Sequence, residues 1–101
     1  MDKNGYPEDH ELEMISKWNP GDYYGLMEYI KTLWIYDDYF RQVNTTFYLS
    51  TGGWSGHEDI IAAMQNNTGW WLFHWHSSKR GGHYIFTEKT AGQPDPEPRH
   101  E

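Results

Sequence analysis

The core of this chain should be unusually rich in rings. Its 101 residues include six Trp, eight Tyr and four Phe, and no cysteine. No disulfide can brace the fold, and no thiolate can hold a metal. Each ring removes a large apolar area from water, so few are needed. One domain with a modest core is the expectation for this length. Disordered chains are poor in aromatic residues, so the central part of this one should fold.

The formal net charge is −7, and it is unevenly spread. Residues 1–59 carry eleven Asp and Glu against four Lys and Arg, and residues 60–101 carry four of each. A protein that grips duplex DNA shows the opposite balance, so direct duplex binding is not expected. An acidic face suits a basic partner protein, or simply solubility. No apolar run approaches the roughly 20 residues that span a bilayer. The start, Met1-Asp2-Lys3-Asn4-Gly5, lacks the apolar stretch of a signal peptide. The expectation is a cytoplasmic protein without a membrane segment.

Residues 1–8 read as a flexible N-terminus, 9–89 as a single α+β domain, and 90–101, with three prolines and no apolar cluster, as a disordered tail. Asp9 suits the cap of a helix from His10 to about Lys17. Asn19-Pro20 suits the start of a second helix. Leu26, Ile30, Leu33 and Trp34 then recur at helical spacing, which predicts a helix to about Phe40 or Gln42. Asn44 to Thr51 reads as a strand, Ser55 to Asn66 as a third helix, and Trp70–Ser77 with His83–Glu88 as a hairpin. The order α-α-β-α-β-β predicts a three-stranded sheet with helices packed on one face. The helical crossover after the first strand points to one parallel pairing.

Between the first strand and third helix lies "LSTGGWSGHED", residues 49–59. Ser55-Gly56-His57-Glu58 fits the capping box S-x-x-E. Gly52 and Gly53 permit positive φ or close approach to another group. A strand, a glycine turn and a helix N-terminus together form a common anion site. Lys79-Arg80-Gly81-Gly82-His83 adds an adjacent basic pair beside two further glycines, and Arg binds phosphate or carboxylate in bidentate fashion. The expected site lies between the 51–58 loop and the 77–84 hairpin. Thr51, Gly52, Gly53 and Ser55 would supply polar or backbone contacts. Trp54 and Trp75 would stack on a ring, and Arg80 would neutralise charge, assisted by His57, His83 and Tyr84.

Two other chemistries are open. His74 and His76 share a strand face, and with an even-numbered hairpin loop His83 joins them, giving three imidazoles for zinc. An odd loop removes that arrangement. A hydrolase is the other alternative, since Ser50, Ser55, Ser77 and Ser78 offer hydroxyls. Gly53-Trp54-Ser55-Gly56 misses G-x-S-x-G by one residue, and no Ser–His–acid order can be assigned. The expectation is therefore a protein with no catalytic residues and no cofactor.

"YLSTGGWSGHEDIIAAM" and "WHSSKRGGHYIF" together resemble a pattern in small uncharacterised proteins of bacteriophages and prophages. There, T-G-G-W-S-G-x-E is followed by an apolar helix, an aromatic strand and R-G-G-x-Y. The resemblance covers roughly residues 46–87. It implies a small accessory protein made inside a bacterium, acting on a host protein or sequestering a nucleotide-like signal. The leading expectation is a non-enzymatic protein that binds a small anionic, nucleotide-like ligand. The alternative is an acidic inhibitor of a host factor, such as a defence or nucleic-acid-processing complex. Exposed tryptophans would equally suit a homo-oligomer.

Overall fold

The computed structural model describes residues 2–88. The sequence expectation for a tail at 90–101 lies outside them. Residues 2–8 turn back on themselves. The Asp2 carboxylate accepts from the Asn4 and Tyr6 amides at 2.9 and 3.0 Å, and the Tyr6 ring packs on Trp54 with centroids 4.7 Å apart.

Helix α1 spans Asp9–Ser16 and α2 spans Tyr23–Leu33. The α2 cap is Asp22, three residues later than Asn19. Its Oδ1 accepts from the Gly25 amide at 3.0 Å and its Oδ2 from the Trp18 indole at 3.0 Å. Asn19 instead closes a tight turn onto the Gly21 amide. Helix α2 also stops well before Phe40. Trp34 leaves it in extended conformation, and a 3-10 turn, Asp37–Tyr39, follows. The carboxylates of Asp37 and Asp38 would oppose the dipole of a longer helix at its C-terminus.

The single strand expected over Asn44–Thr51 is a hairpin of β1, Phe40–Val43, and β2, Thr46–Ser50. Asn44 turns the corner at φ 56°, a left-handed conformation that asparagine tolerates better than most residues. Helix α3 covers Ser55–Asn66. The segment expected to open a strand at Trp70 is instead helix α4, Thr68–His74, and β3 is confined to Trp75–Lys79, with β4 at His83–Phe86.

Asn67 explains that change. It ends α3 and caps α4, its Oδ1 accepting from the Trp70 amide at 3.3 Å. Its side-chain NH2 donates to the carbonyls of Ile15 and Trp18 at 3.0 and 2.8 Å. One buried amide thus joins the end of α1 to two other helices. Asn67→Ala should lower stability by about 2–4 kcal/mol, combining a lost cap with two stranded buried carbonyls, as measured by urea denaturation.

The domain is α+β, as expected, but its sheet has four strands rather than three, in the order β1-β2-β4-β3. Every pairing among the described residues is antiparallel. The helical crossover does return β3 in the direction of β2. The parallel pair expected there does not form because β4 folds back and sits between them.

Phe47, Leu49 and Phe86 point to one face, where they join Ile15, Leu26, Ile30, Ile60, Met64 and Trp70 in the core. The Tyr23 hydroxyl crosses this core to reach the carbonyls of Thr45 and Phe86 at 2.7 and 3.1 Å. Burial pushes its phenol far up, so it stays a donor. By the two-residue period of a strand, Tyr48 and Ser50 on β2 and His83 and Ile85 on β4 face the other way, toward the side opposite the helices.

Candidate functional site

The two glycine segments do meet. The Thr51 amide donates to the Gly82 carbonyl at 2.9 Å. They meet by packing at Thr51 and Gly82. Thr51 is buried, and a Cβ added to Gly82 would collide with its hydroxyl. A Cβ on Gly52 would collide with the Tyr39 ring, and one on Gly56 with the Trp54 ring. Gly52, Gly53, Gly81 and Gly82 all have positive φ. The positive φ of Gly52, Gly53, Gly81 and Gly82 and the close approaches at Gly52, Gly56 and Gly82 explain these glycines by turn geometry and packing.

The remaining residues of the expected site disperse. Ser55 is the first residue of α3 and is exposed. The cap position belongs to Trp54, which has no side-chain cap bond, so the S-x-x-E box does not form. Trp54 packs on Tyr6 and on His57, 4.7 and 4.6 Å between centroids. His57 is wholly buried and stacks parallel to Trp34 at 4.1 Å. Its Nδ1–H donates to the Thr51 carbonyl at 3.1 Å, which leaves Nε2 buried without a partner. Burial pulls the His57 pKa down. It is a core group, closed to ligand. Trp75 stacks on Trp71 and donates its indole N–H to the Ser78 hydroxyl at 2.8 Å. Tyr84 sets its ring against the Trp71 edge. Arg80 is exposed at the hairpin tip.

The zinc alternative also fails on geometry. The loop Arg80-Gly81-Gly82 has three residues, since Lys79 pairs with His83, and a bulge at His76 shifts the register again. His74 is buried, its Nδ1–H donating to the Thr87 carbonyl at 3.0 Å. His76 approaches the Ser77 hydroxyl and His83 that of Ser50. Among the described residues, no group of three or more His, Cys, Asp or Glu could hold a metal ion.

What the fold does build is a groove of about 460 Å3 on the side of the sheet opposite the helices. Its floor comes from all four strands. Tyr48 and Ser50 rise from β2, and His83 and Ile85 from β4. Arg41 and Lys79 flank them from the outer strands β1 and β3, and Asp38 and Tyr39 form one rim. The Arg41 guanidinium lies over the Tyr48 ring, 5.0 Å from its centroid, an attractive arrangement that holds the cation against the sheet. Ser50 and His83 are direct cross-strand partners, with Oγ 2.6 Å from Nδ1.

Six lysines and arginines fall within residues 2–88: Lys3, Lys17, Lys31, Arg41, Lys79 and Arg80. Arg41 and Lys79 line the groove and Arg80 follows directly on Lys79. Two of these six cations therefore line one sheet face, with Asp38 at its rim.

Of the expected site residues, His83 and Tyr84 are among those that line the groove. Sequence reasoning missed Arg41, Tyr39 and Tyr48. The alternation of "TFYLS" carried the signal for Tyr48, since one face of that strand is apolar and the other is Tyr and Ser. No family model, no curated protein and no solved structure matches the chain.

Proposed function

We propose that the chain binds a small anionic, ring-bearing ligand of nucleotide type on the open face of its sheet. The observation that carries this reading is the pairing of Arg41 on Tyr48 within a groove that Lys79 and His83 also line. The volume suits a small molecule. Cations would meet phosphate or carboxylate, and Tyr39 at the rim offers a ring to a base. The ligand class is the one anticipated from the hairpin motif, now received by the sheet instead of the glycine turns. A small phage-type accessory protein acting in a host cytoplasm, as the resemblance suggests, is the setting in which such binding would sequester a signal.

The test is calorimetric titration with adenosine diphosphate at low salt. Arg41→Ala should weaken binding about tenfold to hundredfold, the worth of a charge-assisted hydrogen bond, with the melting temperature nearly unchanged. Equal affinity in the variant overturns the assignment.

A second reading, inhibition of a basic host protein, draws support from one patch. Tyr36, Asp37, Asp38 and Tyr39 are consecutive and all exposed, which joins aromatic contact area to negative charge.

A further inference from the structure

We infer that Ser50 is a nucleophile, with His83 as its general base, acting on a phosphate ester bound in the same groove. The inference rests on the binding reading above and adds an activity to it. Ser50 Oγ and His83 Nδ1 lie 2.6 Å apart, within the reach a base needs to take a hydroxyl proton. Both residues sit on the central strands β2 and β4, paired directly across the ladder. Their spacing is thus set by the sheet rather than by a loop.

The flanking charges fit the reaction. Lys79 is the cross-strand neighbour of His83, and Arg41 is opposite Tyr48, two residues from Ser50 on the other side. A phosphoryl group seated over Ser50 would have a cation on each side of the dyad, and such clamps stabilise the charge on transferring phosphoryl oxygens. Asp38 stands at the rim with the opposite sign and would exclude a second anionic group there.

The chemistry balances as follows. Ser50 Oγ bonds to phosphorus as its proton passes to His83 Nδ1. The ester oxygen leaves and takes that proton as an alcohol. Water then attacks the phosphoserine, assisted by His83, restoring the Ser50 hydroxyl and releasing inorganic phosphate.

The experiment is covalent labelling of the intact protein with a fluorophosphonate, read by mass spectrometry of peptides. The P–F bond breaks, fluoride leaves and Ser50 keeps the phosphonyl group. One adduct on Ser50 is expected, formed faster than on the exposed Ser55 and Ser78, slowed about a hundredfold in His83→Gln and blocked by adenosine diphosphate. Absence of a Ser50 adduct overturns the inference, as does an equal rate in His83→Gln or equal labelling of the three serines. The wild-type result needs no variant to fold, and Ser50→Ala supplies the blank. Binding of adenosine diphosphate without Ser50 labelling removes the nucleophile and keeps the binding site. Labelling without such binding does the reverse.

Discussion

Trp70→Ala is expected to lower the melting temperature by more than about 10 °C. Trp70 has no solvent exposure and joins three other rings, with centroids 5.9 Å to Tyr23, 4.9 Å to His74 and 5.5 Å to Phe86. Removing a buried tryptophan costs about 3–5 kcal/mol, because the lost transfer energy is joined by an unfilled cavity. Domains of this size have roughly 5–15 kcal/mol in total. Trp70→Phe is the informative partner. The Trp70 indole N–H is buried without a hydrogen bond, so phenylalanine removes an unpaired donor while keeping most of the packing. Its loss, read by thermal unfolding, should be much the smaller of the two.

Acid is expected to destabilise the fold through its buried histidines. Burial lowers the pKa of both His57 and His74 from the ordinary 6.5. The unfolded chain therefore binds protons that the folded chain refuses. The stabilisation is fully present above pH 6.5, declines as pH falls below it, and is gone below the folded-state values. Within that window each histidine contributes up to about 1.4 kcal/mol per pH unit. The two sites differ. The Glu88 carboxylate and three backbone carbonyls offset part of the burial cost at His74. His57 packs among Trp34, Tyr36 and Trp54 and has only the Thr51 carbonyl. A urea midpoint measured from pH 7.5 to 5 should hold nearly level down to about pH 6.5 and fall below it, and His57→Phe should flatten that fall. An unchanged slope in the variant would place the acid sensitivity elsewhere.

The central apolar spacing of α2 and the alternation of β2 could be read without coordinates, because both are local patterns with a fixed period. Leu26, Ile30 and Leu33 are buried where the spacing puts them. Phe47 and Leu49 turn inward as alternation requires. "TGWWLFH" misled because its aromatic content favours a strand. Its conformation is decided by Asn67, whose partners Ile15 and Trp18 lie about fifty residues away in sequence. The outer face of α4 carries Leu72 at 74% exposure, so its apolar letters are no guide to burial. The candidate site was half legible. The meeting of the two glycine segments is real, but how closely it packs depends on side chains, here Thr51 against Gly82 and the distant Tyr39 against Gly52. Arg41 could not be placed at all, since reading β1 as the end of a helix removed it from the sheet.

The position of β4 has a consequence for synthesis. It is the fourth strand to leave the ribosome, yet it fills the third place in the sheet. Until it arrives, β1 and β2 exist only as a lone hairpin, which is marginal in water, and the inward side chains of Phe47 and Leu49 have no neighbour on that side. Translation adds roughly 5–20 residues per second, so this core closes in one late event, after the four helices and the three other strands have been made.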